Sequence, residues 1–515
     1  MPRDKKVEIQ IIILSGVVHP ASFTRAAGPY RLISSLRSNG IGSLVIEGLG
    51  QCEYPDYKKM VEHALLKYKN LKYIGISTSF LASLQTRISS DTLVTTDYLP
   101  YSNSEWFDLI DLIKKKTNAK IIIGGHKTNE FERDRAIHNY VDHYIYGYAD
   151  VAILNLLKNS SSPKRIESFL TYEELGFNKI KNSYLPIDVF MPKEGLTIEL
   201  HRGCIFKCKF CAYPLNGKKR NSWNRDVSLF VDELEYFHNN YQSTNFNLSA
   251  DTFNDDYEYL EKLNIELKMR KLKFNFAING RLDLIKNARH ADLLLDIGVR
   301  VALFGIESTN TDSLKNIRKP SSFMDSKKAL ETCKASWGNQ IKITGSFIVG
   351  LPYDTKENIQ QMLDYFTSSD CPMDSIEFDP LMVSNPTHDK NIWQSEFAKN
   401  AASNSFSFED ETNNWTNPNT PFKSYKATES FTREVLNSMP PTKKNSIKSA
   451  AYIHLPNNIA SLDNRTASEN FDKIFNLKTY SDYTSFLKEN FNTTIDAARL
   501  STTKKYVEQF FAVHS

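Results

Sequence analysis

The chain has 515 residues, 41% of them hydrophobic and 12% aromatic, which excludes a lone small module and wholesale disorder and provides for several packed cores. Its 64 Lys and Arg against 60 Asp and Glu leave a net charge of +4, too little to supply a global field for nucleic acid. Six cysteines are too few for a disulfide framework, and three of them fall within eight residues.

The first apolar run, residues 11–14, is far short of the roughly 20 needed to cross a bilayer, so no membrane span is expected. Glu8 and Gln10 interrupt what would be the apolar core of a signal peptide, and the segment reads as a first strand. Over residues 1–160, short apolar runs alternate with amphipathic stretches, which predicts an α/β domain with a doubly wound, flavodoxin-like parallel sheet. Its strands are expected over 7–14, 43–47, 72–78, 120–123 and 143–146. The first helix is expected over 28–40, with Pro29 early, Leu32, Ile33 and Leu36 at helical spacing, and Gly40 as the stop. A second helix over 104–116 sets Trp106, Leu109, Ile110 and Ile113 on one face. It ends in three lysines that suit the negative end of the helix dipole.

A polar linker over 161–194 leads to a second series over 195–392. Six strands are expected there, over 196–200, 245–249, 273–278, 299–306, 341–349 and 375–381, with helices such as 228–241 and 255–270 between them. Strand followed by helix, six times, predicts a partial (βα)6 barrel. From 393 to 515 the expectation is a polar loop, clearest over 401–424, then a mainly helical C-terminal region in which Phe471, Ile474 and Phe475 have helical spacing.

Directly after the first barrel strand comes Glu199-Leu-His-Arg-Gly-Cys-Ile-Phe-Lys-Cys-Lys-Phe-Cys-Ala-Tyr213. Cys204, Cys208 and Cys211 thus stand at the C-terminal end of a barrel strand, the rim where barrels place their chemistry. Thiolates are soft ligands for an iron-sulfur cluster or zinc, and three on a four-position centre leave one position open. These cysteines alone leave open a zinc site completed by His201, in a non-catalytic zinc-binding interaction protein. Cys52, Cys333 and Cys371 read as small buried apolar residues. Lys218-Lys219-Arg220 reads as a solvated loop with Arg220 turned inward.

The cysteine loop resembles the signature of the radical S-adenosylmethionine (SAM) superfamily. The likeness extends to Phe210, to Leu303-Phe-Gly-Ile-Glu-Ser308 and to Gly345-Ser-Phe-Ile-Val-Gly-Leu-Pro-Tyr-Asp-Thr355, although Tyr353 and Asp354 depart from the Gly-Glu of many relatives. The resemblance implies a 4Fe-4S cluster on Cys204, Cys208 and Cys211 that binds SAM and cleaves it reductively to a 5'-deoxyadenosyl radical. It implies SAM contacts from Phe210, Asp251, Arg281, Glu307, Ser346, Ile348 and Gly350. It also implies a reductant such as flavodoxin or ferredoxin, and the redox-sensitive cluster implies a cytoplasmic setting. Neither the substrate nor a catalytic side chain is named by it.

The N-terminal segments Ile74-Gly-Ile-Ser-Thr-Ser-Phe80 and Ile121-Ile-Ile-Gly-Gly-His126 resemble the cobalamin-binding domain that precedes the barrel in one radical SAM subgroup. This implies cobalamin contacts from Ser77, Thr78, Gly124 and Gly125, at strand ends where open α/β sheets bind ligands. His19 does not fit the Asp-x-His-x-x-Gly motif of a lower axial ligand, and His126 could face cobalamin or substrate. The expected activity is cobalamin-dependent methyl transfer to an unactivated carbon. The alternative is a cobalamin-independent radical SAM oxidoreductase, rearrangement or cyclisation enzyme.

Overall fold

The computed structural model describes residues 8–16, 25–48, 52–78, 103–158, 162–213, 215–319, 321–386, 394–409, 414–440, 473–477 and 480–515. His19, Phe80 and Phe471 lie outside them. Six strands, β1 (Ile9–Gly16), β2 (Gly42–Gly48), β3 (Tyr73–Ser77), β4 (Lys120–Gly124), β5 (His143–Gly147) and β6 (Arg165–Ser168), form an all-parallel sheet in the order 2-1-3-4-5-6. The first five follow the flavodoxin-like order, with its topological switch point between β1 and β3. The run Ile11–Leu14 is apolar on both faces because β1 lies inside a sheet covered on both sides. β6, which falls within the expected linker, is a four-residue edge strand whose one strongly apolar side chain is Ile166. So short and polar an edge carries no periodic signal.

Helices α1 (Ala27–Ser38) and α4 (Ala149–Lys158) cover one face of this sheet, and α2 (Tyr54–Lys67) and α3 (Asn103–Lys116) cover the other. The α1 side does not end in solvent. Tyr30, Ile33, Leu36 and Ile153 share one continuous core with Leu196, Ile198, Phe230 and Phe237 of the second series.

That series forms the second six-stranded parallel sheet, β7 (Leu196–Glu199), β8 (Asn245–Ser249), β9 (Asn275–Arg281), β10 (Val299–Glu307), β11 (Lys342–Val349) and β12 (Ser375–Pro380), paired in sequential order. Along β11, Phe347 and Val349 are buried beneath the outer helices while Ser346 and Ile348 are half-buried on the opposite, inner face. This is the partial (βα)6 barrel. Within the polar stretch 401–424 a two-strand pairing, Ser407–Phe408 with Trp415–Thr416, buries Trp415.

The C-terminal region divides between the two sheets. Helix α5 (Tyr425–Ser438) contributes Val435 to the barrel core and lies along β12. Helix α6 (Ile495–His514) inserts Tyr506 and Phe510 among Met60, Val61 and Ile110 of the N-terminal domain. The Tyr506 hydroxyl donates to the Glu47 carbonyl at 3.2 Å, and His514 Nε2 lies 3.0 Å from the Ile187 carbonyl. Among the described residues, no helix is long and apolar enough to cross a membrane.

Glu47, at the end of β2, is fully buried. Its carboxylate accepts from the Ala26 amide at 2.7 Å and from the Tyr30 hydroxyl at 3.0 Å. Burial pushes its carboxyl up to about 7 despite the nearby Arg25. A folded-state value above the ordinary 4.5 gives stability that is complete below that value and lost as pH rises through about 7. Glu47→Gln keeps the neutral shape. It is therefore expected to flatten the decline in urea midpoint between about pH 4.5 and about 7, and an unchanged decline would remove Glu47 as its cause.

Candidate active site

The cysteine loop is held by its own backbone. Gly203 has φ 75°, and a Cβ there would overlap Leu215. The Cys204 amide donates to the Leu215 carbonyl at 3.3 Å, and the Cys204 carbonyl accepts from the amides of Gly217 (2.8 Å) and Lys218 (3.1 Å). Asn216 Nδ2 donates to the Cys211 carbonyl at 3.0 Å, and the Cys211 amide to the Cys208 carbonyl at 3.2 Å. All three cysteines are free thiols, Cys204 buried and the other two half-buried. Burial pushes each thiol up, Cys211 to about 11, so a bound metal must displace their protons.

Cys204 Sγ lies 3.1 Å from Thr252 Oγ1, and Arg281 Nη1 donates to Cys208 Sγ at 3.6 Å. Cys208 also feels the charge of Lys319. Three soft thiols on one loop, with the buried cations Arg281 and Lys319 beside them, suit an iron-sulfur cluster. His201 is otherwise engaged: Nε2 lies 3.2 Å from the Thr252 carbonyl and Nδ1 lies 3.4 Å from Lys218 Nζ. Burial and that lysine hold the ring neutral, down to about 3. Lys218, not Arg220, is the inward residue of the basic run. Its ammonium donates to Asn224 Oδ1 at 3.0 Å, whereas Arg220 is exposed and only its guanidinium reaches back to the Asp255 carbonyl.

The expected SAM residues gather on the barrel rim. Arg281, Gly305 and Ser346 are register partners on successive strands. Phe210 and Ile348 pack against one apolar group with Leu314, Ile317 and Leu351. Asp251 follows β8, and burial raises its carboxyl to about 6. Glu307, at φ 71°, accepts from Lys319 Nζ at 2.9 Å, and the same ammonium donates to the Gly305 carbonyl at 2.7 Å. Gly305 makes room for this pair, since a Cβ there would overlap Glu307 Oε1.

The departures from the common motif also have visible consequences. Tyr353 occupies φ 70°, where glycine sits without strain, and Asp354 accepts from Ser308 (2.7 Å) and Ser313 (2.8 Å). Gly350, at φ 89°, lets α5 approach the barrel mouth, for a Cβ there would lie 2.6 Å from Thr428 Cγ2. Gly350→Ala is expected to cost about 1–3 kcal/mol in chemical denaturation. Adding Thr428→Ser should recover part of it, and no recovery would locate the cost in the backbone alone.

On the N-terminal sheet, Ser15, Glu47, Ser77 and Gly124 share one register row at the C-terminal edge. Ser77, Gly124 and Gly125 are half-buried there, and Gly125 has φ 110°. Thr78 is fully buried. Its hydroxyl donates to the Gly124 carbonyl at 3.1 Å and accepts the Lys127 amide at 2.9 Å, so it ties β3 to the turn after β4. A switch-point edge with two adjacent glycines fits a bulky ligand approaching the backbone. His126 is exposed on the same turn.

This edge meets the barrel rim. Arg202, two residues before Cys204, forms a bidentate pair with Asp150 at the start of α4 (3.0 and 3.2 Å) and bonds Glu199 at 2.8 Å. Glu199 also accepts from Arg31 of α1 at 3.0 Å. Trp223, past the cysteine loop, lies 5.1 Å from the ring of Tyr148, which follows β5. Arg202, Thr252 and Lys319 carry no signal in the sequence, where each is one polar residue among many.

Residues 198–366 match the family described as the radical SAM superfamily, so that stretch is a radical SAM domain. The chain is 26% identical over 231 residues to an uncharacterized methyltransferase of Pyrococcus horikoshii, covering 45% of this chain and 46% of that protein. It is 26% identical over 290 residues to the ribosomal protein uS12 methylthiotransferase RimO of Chlamydia pneumoniae, covering 53% and 58%. The chain thus spans about half the length of these curated relatives. Its fold is shared with the cobalamin-dependent SAM radical enzyme OxsB, solved with aqua-cobalamin and SAM (TM-score 0.55, 12% identity, 98% of this chain, 79% of that one). It is likewise shared with the radical SAM methyltransferase TsrM of Kitasatospora setae, solved with tryptophan and a SAM analogue (TM-score 0.53, 15% identity, 73% and 74%).

Proposed function

We propose that this chain is a radical SAM enzyme that cleaves SAM reductively and transfers a methyl group, by way of cobalamin, to an unactivated carbon. The observation that supports this reading is the Arg202–Asp150 pair, which ties the start of the helix after β5 to the chain just before Cys204. Bound there, a 4Fe-4S cluster with SAM supplies one-electron reductive chemistry, and cobalamin supplies methyl transfer. Cys204, Cys208 and Cys211 would ligate the cluster. Phe210 and Ile348 would flank the adenine, Asp251, Glu307 and Ser346 would orient the polar end of SAM, and Ser77, Gly124 and Gly125 would admit cobalamin. The apolar group around Phe210, Leu314 and Phe397 limits water at the rim.

The proposed division of the chain is a cobalamin-type domain over 1–160, a linker over 161–194, a radical SAM barrel over 195–392 and a C-terminal region over 393–515. The setting would be cytoplasmic, with electrons from a flavodoxin or ferredoxin. Protein reconstituted anaerobically with iron, sulfide and cobalamin, then reduced with SAM and candidate acceptors, tests the reading. Retained iron and cobalt with both 5'-deoxyadenosine and S-adenosylhomocysteine as products is the expected result. Deoxyadenosine without S-adenosylhomocysteine in productive turnover would favour the cobalamin-independent alternative, and tightly bound zinc without iron would overturn both.

A further inference from the structure

The geometry points to Arg281 as a positioning residue for the cluster rather than a SAM contact: it directs one charged N–H at the Cys208 sulfur and thereby raises the cluster's reduction potential. This rests on the reading of the cysteines above. The backbone of Arg281 is clamped on both sides by Asn254, whose Oδ1 accepts the Arg281 amide and whose Nδ2 donates to the Arg281 carbonyl, each at 2.9 Å. Gly280 allows that approach, since a Cβ there would lie 2.9 Å from Asn254 Oδ1.

The side chain is equally constrained. Nε and Nη2 donate to Asp283 at 3.0 and 2.7 Å, and the guanidinium carbon lies 3.8 Å from the centroid of the Phe206 ring. The Nε–Nη2 edge is therefore taken by a carboxylate, and so is one face. What projects is Nη1, 3.6 Å from Cys208 Sγ. Cys204 meets instead the neutral hydroxyl of Thr252, so the three sulfurs are not treated alike. A charged donor at a ligating sulfur stabilises the form that holds one more electron, and hydrogen bonds to sulfur are among the levers that set cluster potentials. Asp283, close behind, opposes part of that charge, so removing either partner moves the potential in opposite directions.

The test is an EPR-monitored dithionite titration of the loaded cluster in wild type, Arg281→Gln, Arg281→Lys and Asp283→Asn, with iron content measured in each. Arg281→Gln is expected to shift the one-electron reduction equilibrium about tenfold toward the oxidised form, which is about 59 mV downward. Asp283→Asn should shift it upward, and Arg281→Lys should move it less than Arg281→Gln. Unchanged potentials in loaded variants, or shifts of the same sign in Arg281→Gln and Asp283→Asn, would overturn the assignment. If Arg281→Gln does not load, the sign in Asp283→Asn decides. A wild-type protein with no four-iron signal would instead overturn the cluster reading itself.

Discussion

Cys208→Ala is expected to abolish reductive SAM cleavage, reducing 5'-deoxyadenosine formation by at least about 10³-fold, and to bring reconstituted iron close to background. Losing an outer partner of a metal ligand already costs about 10–100-fold, and Cys208 is the middle ligand of the set, with the other two on either side in the loop. The loop should keep its shape, because the hydrogen bonds within it run through the backbone of Cys204, Leu215, Gly217 and Cys211, while the Cys208 thiol accepts from Arg281 outside it. Circular dichroism and urea midpoint are therefore expected to stay near wild type. Cys333→Ala makes the contrasting control. Cys333 is wholly buried in the barrel core, so its loss should lower stability by about 1 kcal/mol and leave iron content unchanged. Full iron retention in Cys208→Ala would remove this cysteine from the site.

Glu199→Ala carries the largest expected cost in stability, about 3–5 kcal/mol in urea unfolding. It would leave the guanidiniums of Arg31 and Arg202, both nearly buried, without their shared carboxylate. Burial alone would raise the Glu199 carboxyl, but Arg202 and then Arg31 outweigh it and hold the group down to about 2. With the folded value below the ordinary 4.5, the stability is present above that pH and is lost as pH falls toward about 2. Wild type should therefore lose stability through that acid window and the variant should not. A loss below about 1 kcal/mol at neutral pH would mean that water, rather than Glu199, balances the two arginines. Because Arg202 also holds Asp150, the variant should in addition cleave SAM less well at unchanged iron content.

Both sheets were legible in sequence because their interior strands are periodic. The apolar run of β1 and the alternation of β11 mark elements buried on two faces or on one. β6 was not legible, since four residues at an edge need only one apolar side chain. The candidate site was legible where its chemistry is local. The three cysteines fall within one loop and the two glycines at one strand end, each set local in the chain.

Contacts made across long separations were not legible. Helix α6 reads in sequence as part of a helical tail, yet Tyr506 and Phe510 join the core of the N-terminal domain. No local signal reports which distant surface an amphipathic helix covers. Arg281 looks equally suited to a cofactor carboxylate or an ion pair until Asp283, Phe206 and Cys208 are seen to occupy it from three directions.

The sequence by itself determined that this chain holds two parallel α/β units and a three-thiol loop on the rim of the second, because periodicity and ligand spacing are local properties of a chain. Only the tertiary structure decided that the chain just after β5 meets the cysteine loop of the second unit. That juxtaposition rests on two pairs that are far apart in sequence, Arg31 with Glu199 and Asp150 with Arg202, whose members must find each other once buried.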